Sequence, residues 1–137
     1  MIRVLSEPEL AATAEALGAE LPPGTVITLE GDLGAGKTTF ARALARGLGV
    51  REGATSPTYA LVHRYAGRRG PVFHLDCYRL QHPDEAADLD WEGLLAEGDV
   101  VIVEWPERAG PWLPLDARRF RLSHLPDAGR RGLEELA

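Results

Sequence analysis

Lysine is almost missing from this chain: of its 15 basic side chains, only Lys37 is not an arginine. What position 37 demands that arginine cannot supply is therefore a chemical question. Asparagine is absent and Gln81 is the single glutamine, which with 10 prolines fits a heat-adapted composition and equally a GC-rich coding sequence. Cysteine occurs once, at Cys77, so an internal disulfide is excluded and so is a metal site built on cysteines. That lone residue reads as a small buried hydrophobe. The longest apolar runs, such as Val100–Val103, fall far short of the ~20 residues a membrane-spanning helix needs. Basic charge is also in deficit. A net charge of −6 withholds the dominant cationic field that a free-standing nucleic-acid binder requires. The local clusters Arg68-Arg69, Arg118-Arg119-Arg121 and Arg130-Arg131 read as solvated loops and strand faces. The opening stretch MIRVLSEPEL has neither the apolar segment of a secretory signal nor the Arg/Ser-rich, acid-poor character of a transit peptide. A cytoplasmic location is expected.

What is present describes a globular protein. With 137 residues, 45% of them hydrophobic and 26% charged, the chain is expected to form one domain over 1–137. Ser6 followed by Glu9 is a capping box, and Leu10, Ala14 and Leu17 continue at helical spacing, with the end expected at Gly18 or, fraying on, at Leu21 before Pro22-Pro23-Gly24. Thr25–Glu30 reads as a strand that runs into a glycine-rich loop, and Lys37 to about Leu48 as a helix with Phe40, Ala41, Leu44 and Leu48 on one side. YALVHRY (59–65) and PVFHLD (71–76), separated by AGRRG, suggest an antiparallel hairpin. An acidic helix is expected next over HPDEAADLDWEGLLA, with His82 or Asp84 near its start, then a fully buried central strand at DVVIVE (99–104). ARRFRLSH (117–124) alternates and is expected as an outer strand, and the tail GRRGLEELA as a short final element. The sum is an α/β, three-layer P-loop NTPase-like domain with a mixed, mostly parallel central sheet.

Chemistry concentrates in GDLGAGKTTF, residues 31–40. Gly31, four residues, then Gly36-Lys37-Thr38 satisfies the phosphate-loop pattern, and the strand before and helix after supply the context that pattern needs. Glycines allow backbone N–H groups to turn inward around phosphate oxygens, at a helix N-terminus that favours negative charge. Asp32, Leu33, Gly34, Ala35, Gly36, Lys37, Thr38 and Thr39 are thus the expected nucleotide contacts, with the Thr38 hydroxyl as a magnesium ligand. Lys37 reaches the β- and γ-phosphates as a compact charge on a thin stem, where the wide arginine fork does not fit. This is the answer to its isolation.

A second magnesium carboxylate belongs at a neighbouring strand end, and Asp76 and Glu104 both qualify. Trp105, next to Glu104, places a large ring near the phosphates, although a core tryptophan gives the same pattern. SPTY (56–59) resembles a loop that senses a γ-phosphate, through Ser56 and Thr58, although a turn without function has the same composition. No N-K-x-D run for guanine occurs, which favours ATP by default.

GDLGAGKTTF, SPTY, HLDCYRL and VIVEWPE, in this order and spacing, resemble the TsaE family of small P-loop ATPases required for N6-threonylcarbamoyladenosine (t6A) formation in bacterial tRNA. The resemblance is close over residues 31 to 107. It implies ATP and Mg²⁺ as cofactors, Thr38 and Glu104 as metal ligands, and Asp76 acting near the attacking water or the metal. Lys37, Asp76 and Glu104 would then carry catalysis, with Trp105 beside the nucleotide and SPTY as a switch. It also implies association with a TsaD–TsaB pair, contact with tRNA only through that complex, no membrane, and a monomer when alone. From the residues alone two alternatives stand: a small-molecule kinase with Asp76 as base and Arg79 as charge clamp, and a nucleotide-sensing scaffold without turnover.

Overall fold

The capping box at Ser6 sets the first change of element. Ser6 ends strand β1 (Arg3–Ser6) and caps helix α1 (Glu7–Glu20): its hydroxyl accepts the Glu9 N–H, and the Glu9 carboxylate accepts the Ser6 N–H at 2.8 Å. The computed structural model describes residues 2–51, 62–78, 80, 85, 89–127 and 129–136.

Helix α1 passes Gly18 and ends at Glu20, inside the expected range that reaches Leu21. Gly18 serves packing instead. A Cβ at Gly18 would lie 2.2 Å from the Leu44 carbonyl oxygen, and one at Gly47 would lie 2.1 Å from that of Glu15. The two glycines therefore let α1 cross helix α2 (Lys37–Gly47) backbone to backbone, a contact no local pattern announces.

Strands β2 (Thr25–Glu30), β3 (Val62–Ala66), β4 (Pro71–Asp76), β5 (Val100–Glu104), β6 (Arg118–His124) and β7 (Arg130–Leu136) join β1 in one sheet. Their order is β1-β7-β6-β2-β5-β4-β3. The four central strands β6, β2, β5 and β4 are parallel, and antiparallel partners flank them: β3 on one side, β7 and then β1 on the other. The expected hairpin is β3–β4, and all five residues of β5 are buried between β2 and β4, as its apolar run requires. One face carries α1 and α2 over Ile27, Leu29, Val72 and Ile102. The other packs Phe73, Leu75, Val101 and Val103 under helix α3 (Trp91–Glu97) and Ala109. No helix among the described residues is long and apolar enough to cross a membrane.

Two sequence expectations need correction. The strand at 117–124 is not an outer one: β6 sits between β2 and β7, because the chain's last strand folds back along it and β1 closes the edge. Alternation of Phe120 and Leu122 with Arg119 and Arg121 reports which face is wet, not which strand is the edge. The acidic helix is not continuous either. Asp90, at φ −78° and ψ 72°, leaves helical geometry and starts α3 afresh, its carboxylate accepting the Gly93 N–H at 3.0 Å. His82 and Asp84 lie outside the described residues.

Candidate nucleotide and metal site

Strand β2 delivers the chain into the loop 31–36, and α2 leaves it. Gly36, at φ 104°, is the turn into the helix, and its carbonyl accepts the Phe40 N–H at 2.9 Å. Gly31 is tied to the β6 side of the sheet: a Cβ there would sit 2.3 Å from the Leu122 carbonyl oxygen. The loop is held from outside as well, since the His124 ring nitrogen Nε2 lies 2.8 Å from the Leu33 carbonyl oxygen.

Lys37 opens α2 and is only 5% exposed. Its ammonium donates to the Gly31 and Asp32 carbonyl oxygens, at 2.5 and 2.7 Å, and lies 4.2 Å from the centre of the Trp105 ring. Burial lowers its pKa from the ordinary lysine value, against the opposing pull of Glu104, Glu107, Asp32 and Asp76.

The parallel ladder brings the acids together. β4 and β5 run in register with Asp76 beside Glu104. The Cys77 N–H donates to the Glu104 carbonyl at 3.1 Å, and the Trp105 N–H to the Leu29 carbonyl at 3.2 Å, so three strand ends meet in front of the loop. Glu104 is 2% exposed. Its Oε1 accepts the Thr38 hydroxyl at 3.2 Å, and its Oε2 lies 2.6 Å from His74 Nε2. Asp76 is half-buried and turns one oxygen to the Tyr78 N–H at 3.0 Å. The two candidate carboxylates thus differ: Glu104 reaches the loop directly, and Asp76 stands beside it.

Leu33, Gly34, Gly36, Lys37, Thr38 and Thr39 line a cleft of about 270 Å³ that also takes in Asp76, Glu104 and Trp105. Asp32 lies outside that lining and offers its carbonyl to Lys37, while Ala35 is fully buried behind the loop. Ser56, Thr58 and Arg79 lie outside the described residues. Three cavities are larger: those of about 690 and 640 Å³ contain none of the loop residues, and one of about 320 Å³ is lined by Gly31 and Asp32 with Trp105, so size does not select the site.

Trp105 is the one non-glycine residue at positive φ among the described residues, at φ 57° and ψ 53°. Such a conformation is strained and persists where surrounding contacts over-determine it. Here the ring packs against Tyr78, centres 4.9 Å apart, and Arg108 stacks 4.9 Å from Tyr78 and 5.4 Å from Trp105 while donating to the Tyr78 carbonyl. Sequence reasoning missed Tyr78 and His74. The available signals were their place in the HLDCYRL motif, an aromatic residue two places after Asp76 and a polar residue within an apolar strand.

The donor set suits magnesium. A hard ion of this kind takes one or two protein oxygens and fills its remaining positions with water and phosphate. One carboxylate and one hydroxyl 3.2 Å apart at the loop would make such a pair. Among the described residues no group of three or more His, Cys, Asp or Glu could cage a metal without such help.

A glycine loop between a central parallel strand and a helix, with an acid at the next strand end, defines a P-loop NTPase-like α/β protein. Comparison with known proteins narrows the class. The family model described as threonylcarbamoyl adenosine biosynthesis protein TsaE matches residues 4–132. A tRNA threonylcarbamoyladenosine biosynthesis protein TsaE from Nostoc sp. is 46% identical over 102 residues, covering 72% of this chain and 62% of the relative, so the matched part spans a little under two thirds of that relative's length. The corresponding Bacillus subtilis protein is 36% identical over 128 residues, 93% of this chain and 80% of its own. A crystal structure of Bacillus subtilis YdiB superposes with a TM-score of 0.75 at 30% identity, covering 98% of this chain and 86% of that one. The chain belongs to the TsaE family of tRNA threonylcarbamoyladenosine biosynthesis proteins.

Proposed function

We propose that this chain binds ATP with Mg²⁺ in the cleft around Lys37 and hydrolyses it slowly, as the ATPase that keeps a TsaD–TsaB threonylcarbamoyl-transfer complex turning over on tRNA. The observation that carries the proposal is the contact between the Thr38 hydroxyl and the Glu104 carboxylate at 3.2 Å, directly in front of a loop whose lysine is already in place.

Each residue has a task. Loop N–H groups and the start of α2 hold phosphate oxygens, and Lys37 exchanges its two backbone carbonyl partners for the β- and γ-phosphates. Thr38 and Glu104 would hold magnesium, which when bound supplies charge neutralisation on the phosphates. Asp76, half-buried and beside Glu104, accepts a hydrogen bond from the attacking water and orients it. Trp105 and Tyr78 wall one side of the cleft and exclude solvent there. The expected switch contacts of Ser56 and Thr58 belong to the same proposal. The cleft needs further surface to exclude water, so turnover of the isolated chain is slow and the partner pair accelerates it. Contact with tRNA is then indirect, in keeping with the net charge of −6.

The test is a multiple-turnover tRNA modification assay with TsaD and TsaB, run with ATP, with a non-hydrolysable analogue and with Asp76→Ala. Expected is sustained modification with ATP only, and assembly of the complex in all three. Sustained modification in all three would remove the ATPase role and leave a scaffold. Phosphate transfer to a metabolite without partners would make the chain a kinase.

A further inference from the structure

His74 is 3% exposed in the middle of β4, on the sheet face that it shares with Val72 and Asp76. Its register neighbour on β5 is Ile102, whose own neighbour on β2 is Ile27, and Val72 in its own strand is fully buried. Packing alone calls for another aliphatic residue at this depth. A buried imidazole is costly unless it is hydrogen-bonded. Its bond is to Glu104: Nε2 lies 2.6 Å from Oε2. An ionised carboxylate can only accept, so Nε2 carries the hydrogen and donates it.

The other oxygen of the same carboxylate, Oε1, is the nearer of the two to the Thr38 hydroxyl, at 3.2 Å against 3.5 Å for Oε2. The last torsion of a glutamate is broad and two-fold, so a single contact does not fix the plane of its oxygens. Two contacts do. One comes from the first turn of α2 and the other from β4, and together they hold the carboxylate's orientation.

We propose that His74 is a positioning residue: by donating to Glu104 Oε2 it turns Oε1 towards the Thr38 hydroxyl, and so sets the affinity for magnesium without setting the affinity for the nucleotide. The inference rests on the Mg-ATP reading of the cleft. It assigns His74 no contact with substrate. Partners of this kind, one bond removed from the metal, typically control metal affinity by about 10- to 100-fold.

The experiment measures binding of a fluorescent ATP analogue in EDTA and across a magnesium titration, for wild type, His74→Leu, His74→Gln and His74→Asn. A glutamine amide nitrogen can occupy the Nε2 position, whereas the asparagine amide is one carbon too short. His74→Leu should bind the metal-free nucleotide within about twofold of wild type, yet need about 10-fold more magnesium or above for half-saturation. His74→Gln should restore most of the magnesium response and His74→Asn little of it. Unchanged magnesium dependence in His74→Leu overturns the proposal, as does an equal loss with and without metal. Should His74→Leu fail to fold by circular dichroism, the Gln and Asn pair carries the same contrast, and equal magnesium dependence of those two overturns it. Wild-type binding that ignores magnesium would bring down the metal reading itself. Magnesium-dependent wild type with unaltered variants would bring down only the role of His74.

Discussion

Around the carboxyl ends of β2, β4 and β5 three polar side chains are buried, Lys37, His74 and Glu104 each being at most 5% exposed. On the β6–β7 flank Arg118 meets Glu135 and Arg121 meets Glu30 at 2.9 Å, yet both arginines stay well exposed. Distances are similar in the two regions, but the surroundings are not. An exposed pair exchanges water for a partner at little net gain, whereas a buried polar group must recover a large desolvation cost from specific partners. The flank pairs therefore fit a solvated sheet face. The buried trio at the centre has no packing rationale; Lys37 and Glu104 line one cleft, and His74 is bonded to Glu104.

The comparison breaks most visibly at Lys37. Lys37→Ala should weaken ATP binding on the order of 100-fold, the scale of a charge-assisted bond to phosphate lost from a desolvated site. Lys37→Arg should lose nearly as much, because the slot admits a thin stem and not a planar fork. Titration with a fluorescent ATP analogue checks both. Wild-type affinity in Lys37→Arg would mean that the slot does not discriminate.

Cys77, at the end of β4, extends the contrast to a group without catalytic duty. It is fully buried, and its thiol is pushed up to about 12 from 9.0, chiefly by burial and further by Asp76, Glu107 and Glu104. The folded state thus keeps a proton that the unfolded chain releases near pH 9. Its contribution to stability is complete below that pH and is lost as pH rises from about 9 to 12, by at most about 1.4 kcal/mol per pH unit. Denaturation midpoints from pH 7 to 10.5 should fall less steeply for Cys77→Ala than for wild type. A thiol reagent should label the native protein slowly at pH 8. Labelling as fast as in denaturant would show the site to be open.

The smallest effect belongs to the flank. Arg118 makes two 2.9 Å bonds to Glu135, and they hold the Glu135 carboxyl below its ordinary pKa. Even so, Glu135→Gln should change stability by only about 0–1 kcal/mol, and by less in high salt. Chemical denaturation at low and high ionic strength measures it. A loss above about 2 kcal/mol would erase the distinction between flank and centre.

Much of the fold was legible because its signals are local. The capping box at Ser6 and Glu9 spans three residues, the β3–β4 hairpin is set by a short turn, and β5 declares its burial by an unbroken apolar run. The phosphate loop is legible for the same reason, since glycine, lysine and threonine at fixed offsets between a strand and a helix meet a purely local geometric demand. Motif order also sufficed to indicate the family. Ser56 and Thr58 remain expectations of sequence.

What the chain alone could not decide lies in contacts between distant segments. Thr38 and Glu104 are 66 residues apart, and His74 and Glu104 are 30 apart. Only the parallel register of β4, β5 and β2 brings them together. Sequence left Asp76 and Glu104 as equals; the sheet made Glu104 the one that reaches the loop. Sequence offered Gly18 as one of two helix ends, and helix crossing made it a point of contact. Sequence put β6 at an edge, and the returning tail enclosed it. Periodicity reports which face of an element is buried, but which element covers that face, and in what register, is set by the packing of the whole.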